Sequence, residues 1–285
     1  MTLDDLRKEY HDAICRDLLR MNKNQQKGDY PNNADGDSRI SVSIAKEIYA
    51  QLGPPQYATI SVQNSDDLFA ILTKDFIEKC FNLLNHLRPG NWRYYLKTEI
   101  SQFEQYKDFA EMDSFLKEHK ELATTIGQAY IPKPDILIGR EPLTDNEINK
   151  YREILSTGIN RGKRTPLRQA NNPSPKPILF AAIFCPWTLG LNQAQRIKFD
   201  AISLINKRKG KAPQIAGVTA ETNLLKIASL AFETGELDCV YHFALNELKN
   251  AITTINDESQ LDMYKTLVEG RRLRDISDLP FDLAV

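Results

Sequence analysis

The chain has 285 residues, with 37 Lys and Arg set against 38 Asp and Glu, for a formal net charge of −1. This balance excludes a uniformly basic protein that coats nucleic acid and an acidic solvating tail, and it confines any nucleic-acid surface to a local patch. A hydrophobic share of 41% with 26% charged residues is a globular composition, with enough apolar side chains for a sizeable core in one large domain or two smaller ones.

The first segment, MTLDDLRKEYHDAICRDLLR, is charged from Asp4 onward and lacks an apolar h-region, and no stretch approaches the roughly 18 apolar residues of a membrane span. A cytoplasmic protein without membrane association is expected. Cys15, Cys80, Cys185 and Cys239 form no CxxC pair and sit in apolar runs, which predicts reduced, mostly buried thiols. His11, His86, His119 and His242 show no HxxxH spacing and read as packed or surface residues rather than zinc ligands.

In chain order, Leu3, Leu6, Tyr10, Ile14 and Leu18 recur at helical spacing. The polar loop NKNQQKGDYPNNADGD follows, then a short helix over 40–52 broken by Gly53-Pro54-Pro55. A long helix opens at Asn64-Ser65-Asp66-Asp67, where a capping side chain and two acids suit the N-terminal dipole, and runs to Pro89-Gly90. Strands are expected at WRYYLK, at DILIG (135–139), ILFAAIF (178–184), QIAGVTAE (214–221) and LDCVYHFAL (237–245). Several are continuous apolar runs, as in a sheet covered on both faces. A Thr144/Glu147 capping box starts a helix expected to reach about Leu155, and another helix runs from Asn192 to Lys209, ending at Gly210. Helical crossovers between the last three strands predict an α/β sandwich with some parallel pairing.

Two stretches are locally basic: 161–176, with Arg161, Lys163, Arg164, Arg168 and Lys176, and NKRKGK at 206–211. Each reads as a phosphate contact or as a solvated loop and a basic helix end. Metal-dependent phosphodiester hydrolysis needs carboxylates projecting from strand ends, and Asp135, after Pro134 at the start of an apolar strand, is the first candidate. A turn Asp after proline is the alternative reading.

From Asn192 to Val285 the blocks AQRIKFDAISLINKRKGKAPQIAGVTAE, ETGELDCVYHFALNEL and RRLRDISDLPFDLAV resemble the C-terminal third of the NgoMIV family of type II restriction endonucleases. Earlier blocks agree in the same order: NNADGDSRISVSIAK at 32–46, LFAILTKDFIEKCFNLLNHLRPGNW at 68–92 and PDILI at 134–138. The resemblance implies a restriction-endonuclease-like α/β fold, a central mixed β-sheet flanked by helices. One domain over 1–285 is expected, with a mainly helical part (1–130) and a sheet-bearing catalytic core (131–285). It also implies Mg²⁺-dependent hydrolysis of duplex DNA at a palindromic site, and a homo-oligomer, dimer or tetramer.

By this resemblance Asp135 and Asp200 are the catalytic acids, and Asp135, Asp200 and the carbonyl of Cys185 hold Mg²⁺. The family's Ser-x-Lys is here Phe184-Cys185-Pro186, its displaced Glu is Asp200, and a further Glu early in the long helix is Ala70. Lys198 lies two residues from Asp200 and points about 200° away on a helix. The Arg-x-Asp-Arg cluster with which relatives read G and C edges is replaced by Gly190-Leu191-Asn192-Gln193. Asn192 and Gln193 can pair with adenine, although Asn192 also reads as a helix cap. Gln63 and Lys226 match DNA-contacting positions. The expectation is therefore a restriction endonuclease-like protein with catalytic and base-reading motifs partly lost; the alternative is a catalytically dead DNA-binding or oligomeric protein on the same fold.

Overall fold

The structure is a computed structural model that describes residues 1–24, 28–53, 62–109, 115, 118, 131–156, 162, 164–169, 174–232 and 235–285. The chain opens with α1 (Leu3–Asp17), capped by a reciprocal Thr2/Asp5 box, which buries Leu6, Tyr10, His11 and Ile14. A two-stranded ribbon of β1 (Met21–Asn22) and β2 (Tyr30–Pro31) leads to α2 (Arg39–Leu52) and the long α3 (Val62–Leu83).

The remaining strands form one sheet. Its edge is β3 (Trp92–Leu96), antiparallel to β4 (Ile136–Arg140), which is antiparallel to β5 (Ile178–Phe184). From β5 the pairing becomes parallel, through β6 (Gln214–Thr219) and β7 (Cys239–His242) to β8 (Leu273–Asp275). The order β3-β4-β5-β6-β7-β8 makes six strands in a mixed sheet. The short α4 (Asp145–Ile148) follows β4, α5 (Leu191–Lys207) links β5 to β6, and α6 (Leu224–Ala231) links β6 to β7. After β7 come α7 (Leu245–Ile255) and α8 (Glu258–Glu269), and α9 (Leu279–Ala284) closes the chain.

The apolar runs explain the layering. In β5 all residues but Ile178 are buried, and in β6 all but Gln214, so helices cover both faces of the central strands. Gly139 is required in β4 because an added Cβ would stand 2.9 Å from the Phe103 ring, at a register shift between Ile138 and Gly139. An ion-pair cluster ties the N-terminus to the sheet: Arg7 on α1 donates to both carboxylate oxygens of Glu247 on α7 (2.9 and 2.7 Å) and of Asp275 on β8 (2.9 and 2.8 Å).

Several boundaries differ from the sequence expectation. β3 comes from the first, mainly helical half, so the sheet draws on both parts of the chain. The helix expected to reach Leu155 stops at Ile148. Asn149 turns its side chain on the backbone instead, its Oδ1 accepting from the N–H groups of Ile154 and Leu155 at 2.9 Å and its Nδ2 donating to the Leu155 carbonyl at 2.9 Å. β7 is shorter than LDCVYHFAL, because Ala244 is the N-cap and Leu245 the first residue of α7. All four cysteines are free thiols. Among the described residues no helix is long and apolar enough to cross a membrane.

Candidate active site and DNA-facing segment

Antiparallel pairing brings the start of β4 beside the end of β5, and this puts Asp135 next to Cys185. Asp135 continues the ladder on both sides: its N–H donates to the Ile183 carbonyl (3.1 Å), and its own carbonyl accepts from the N–H of Lys97 (2.9 Å). Its Oδ2 accepts from the N–H of Cys185 at 2.7 Å. Two more carboxylates follow the same pattern along the segment between β5 and α5. Asp66 on α3 accepts from the N–H of Trp187 at 2.8 Å, and Glu221, just after β6, accepts from the N–H of Leu189 at 2.9 Å. Residues 185, 187 and 189 thus each give their N–H to a carboxylate from elsewhere in the chain. The series skips Pro186, which has no N–H to offer.

These carboxylates sit in different fields. Burial pushes the Asp135 carboxyl above the ordinary aspartate range; the Cys185 N–H opposes the shift, Asp66 adds to it, and Lys97 and Arg196 oppose it. Burial likewise raises Asp66 against its bonds from Trp187 N–H and from the Gln193 amide (3.3 Å). Glu221 is only 1% exposed, and burial raises it despite N–H bonds from Leu189 and Asn223 and the charge of Lys226.

Helix geometry places the next group. At about 100° per residue, Gln193, Arg196 and Asp200 fall within about 60° of one another on α5, while Lys198 lies on the opposite edge. Gln193 bonds Asp66, and the charge of Arg196 acts on both Asp66 and Asp135, so this is the edge of α5 that borders the site. Asp200 is 3% exposed on it, whereas Lys198, also buried, sits on the other side of the helix. Ala70 is 1% exposed in the core, one turn beyond Asp66 on the same face of α3.

The sequence-predicted DNA contacts are dispersed. Asn192 is exposed at the second position of α5, whose N-cap is Gly190, so Asn192 is not the helix cap. Gln193 reaches back to Asp66 and to the Gly190 N–H. Gln63 stands in the first turn of α3, and its side chain lies outside the described part of the structure. Lys226 on α6 is paired with Asp35 at 2.8 Å and stands 4.0 Å from Glu221.

Three side chains of the basic stretches are engaged within the chain. Arg168 forks onto Asp145 (2.6 Å for each bond), Lys176 donates to the Ser101 carbonyl (2.8 Å) and Lys209 pairs with Asp108. Arg161 and Lys163 lie outside the described residues. His11 and His242 are buried on backbone carbonyls, as expected of packed histidines.

Three neighbours of the site carried too weak a signal to be picked out from sequence. Asp66 reads as one of two dipole-favouring acids at a helix start, yet α3 begins at Val62 and Asp66 faces the sheet. Glu221 sits at the end of a strand-like run, where nothing distinguishes a buried acid from a turn residue. Lys97 has a left-handed backbone (φ 47°) at the end of β3, and its ammonium pairs with Asp67.

A magnesium ion keeps several waters and asks for one or two carboxylates beside its phosphate oxygens. Asp135 fits that demand, since burial disfavours its charged form and a cation would reverse this. Among the described residues no three His, Cys, Asp or Glu groups converge on a possible metal position, so the donors fit an ion shared with water and phosphate rather than a closed protein cage.

A family model described as NgoMIV restriction enzyme matches residues 10–285. The chain is 37% identical over 260 residues to the type II restriction enzyme NgoMIV of Neisseria gonorrhoeae, an alignment that covers 89% of this chain and 90% of that protein. With a six-stranded mixed sheet flanked by helices and an Asp at the sheet end beside the β5 terminus, the chain belongs to the NgoMIV restriction enzyme family.

Proposed function

We propose that the chain is a weak, Mg²⁺-dependent endonuclease that cuts duplex DNA at a palindromic site and works as a homo-oligomer, dimer or tetramer. The observation that carries this reading is the Asp135 carboxylate, half-buried and raised at the open sheet end, locked to Cys185 by a 2.7 Å bond. Asp135 and the Cys185 carbonyl would hold Mg²⁺, with Asp200 on the bordering edge of α5 as the second acid and Asp66 supporting Asp135. When bound, the ion would polarise the scissile phosphate and make an attacking water more acidic. Asn192 at the exposed start of α5, with Gln193 behind it, supplies amides suited to adenine edges. Gln63 and Lys226 are the remaining candidate contacts, and Lys226 must leave Asp35 to reach a phosphate.

Slow chemistry follows from Phe184 and Pro186, which put a ring and a buried imide where relatives carry a hydroxyl and an ammonium. A second reading, a DNA reader without catalysis, is favoured by that same buried proline. Incubating plasmid DNA with Mg²⁺ or Mn²⁺, and measuring duplex binding in Ca²⁺, separates the two. Slow cleavage that stops in chelator supports the nuclease; binding without cleavage supports the reader; neither activity refutes both. Sedimentation at micromolar concentration should give a dimer or tetramer, and a monomer would contradict the proposed assembly.

A further inference from the structure

The segment from Cys185 to Gln193 runs from the proposed catalytic end of β5 to the proposed base-reading start of α5. Its conformation is fixed by side chains from three other elements rather than by strand pairing. Of the three carboxylates along it, Glu221 is the most buried and stands furthest from Asp135 in the series. It also reaches in two directions: Oε2 accepts from the Leu189 N–H (2.9 Å), and Oε1 accepts from the Asn223 N–H (2.8 Å) at the N-cap of α6. Its own carbonyl is bonded to Nε2 of the buried His242 (3.2 Å), and the carbonyl of Trp187 accepts from the Ala220 N–H (3.2 Å). The loop that carries Glu221 is itself pinned from below, by Asn33 on the Ala220 carbonyl (3.2 Å) and by a Ser41–Thr222 hydroxyl pair (2.7 Å).

One side chain thus sets the spacing between two elements proposed to face DNA, α5 with Asn192 and Gln193, and α6 with Lys226. We infer that Glu221 is a specificity-determining positioning residue: it touches no base, and by holding Leu189 and Asn223 at fixed separation it sets where the amides of α5 stand relative to the phosphate contact on α6. The inference rests on the DNA-binding part of the function proposed above and holds whether or not the chain cleaves. Base-edge recognition tolerates little displacement, because an unmade bidentate contact costs much of the discrimination at that base pair, whereas phosphate attraction is long-ranged and forgiving. Displacing α5 against α6 should therefore weaken sequence choice more than bulk affinity.

The test uses the full chain in Ca²⁺ and a pool of short duplexes with a randomised centre. Three variants are compared with the unaltered chain: Glu221→Gln, which keeps the side-chain length and one acceptor oxygen but turns an NH2 donor against the second N–H; Glu221→Asp, one methylene too short to span both N–H groups; and Glu221→Ala. The unaltered chain should enrich one sequence, and Glu221→Gln, with one of the two N–H bonds lost, should enrich it less strongly. Glu221→Asp should retain binding to the unselected pool within about threefold while its enrichment falls about tenfold or more, the range of one lost base contact. If Glu221→Ala is too unstable to isolate, Glu221→Asp alone decides. Enrichment by Glu221→Asp equal to that of the unaltered chain overturns the inference, as does a parallel fall in bulk binding and enrichment, which marks a purely structural role. If the unaltered chain selects no sequence, the DNA-reading proposal itself fails and takes this inference with it, an outcome visible in that arm alone.

Discussion

Replacing Pro186 by lysine tests the account of the site most directly. Pro186 is buried and follows Cys185, whose N–H is committed to Asp135, while the next committed N–H belongs to Trp187. The substitution leaves all three carboxylate bonds in place and adds an ammonium beside two carboxylates that burial has raised, Asp135 and Asp66. An opposite charge within about 4–6 Å favours the ionised form of such groups, so the new cation is stabilised where it lands. If its role is to stabilise charge on the phosphoryl oxygens, it should recover about 2.7–4 kcal/mol of transition-state stabilisation, roughly a hundred- to a thousandfold in rate. The assay is single-turnover cleavage of supercoiled plasmid in Mg²⁺ by the unaltered chain, Pro186→Lys and Pro186→Ala. The alanine variant separates release of the imide from gain of charge. Repeating the lysine substitution in an Asp135→Asn background should abolish the gain, because the two groups act on one phosphate. A rate for Pro186→Lys within about threefold of Pro186→Ala would show that the missing ammonium is not what limits this site.

Three further outcomes are expected. Ala70→Glu should not restore activity and should lower stability by about 2 kcal/mol or more in urea unfolding, since Ala70 is 1% exposed in the apolar core and a carboxyl there is buried with little compensation; unchanged stability would place that face of α3 in solvent. Arg7→Met leaves Glu247 and Asp275 facing each other and should cost about 3 kcal/mol at pH 7. Desolvation alone would raise both acids, and the Arg7 bonds outweigh it and hold them below their ordinary values, so the stability they confer is full above about pH 4.3 and is lost on further acidification; the Arg7→Met penalty should shrink along the same course, and a pH-independent penalty refutes the ion-pair account. His242, fully buried, is pushed by desolvation down to about 4; its Nδ1 accepts from the Ala244 N–H (3.1 Å), which fits a neutral ring. A depressed histidine contributes stability that is complete above about pH 6.5 and fades as pH falls towards 4, so urea midpoints of the unaltered chain should drop over that window and those of His242→Gln should drop less.

The sequence was most legible where burial and periodicity agree. ILFAAIF and QIAGVT could only be central strands, and the blocks after Asn192 carried the family likeness through the parallel half of the sheet. Asp135 stood out because aspartate is a poor strand former at the start of an apolar run, although a turn after proline accounts for it as well. The site's other members are set by tertiary approach: Asp66 reaches Trp187 across 121 positions of sequence and Glu221 reaches Leu189 across 32, and no local pattern encodes either meeting. Lys198 lies two residues from Asp200 in sequence, and helix geometry puts it on the far edge. The helix lost after Ile148 shows the same limit, since Asn149 is compatible with a helix until its amide finds the backbone of Ile154 and Leu155.

The gap at residue 186 in the carboxylate series also bears on what the segment asks of the residue that stands there. Because the segment after β5 is anchored through the N–H groups of 185, 187 and 189, the position between the first two anchors owes no N–H bond, and an imino acid is accommodated there. Under the proposed function, the position that would carry the charge-stabilising group is therefore one on which no N–H bond depends. A change of side chain at 186 costs none of the three N–H bonds to carboxylates, so the anchors on either side remain available whichever residue stands there. The course of the backbone through this segment and the identity of residue 186 are separable at this one point.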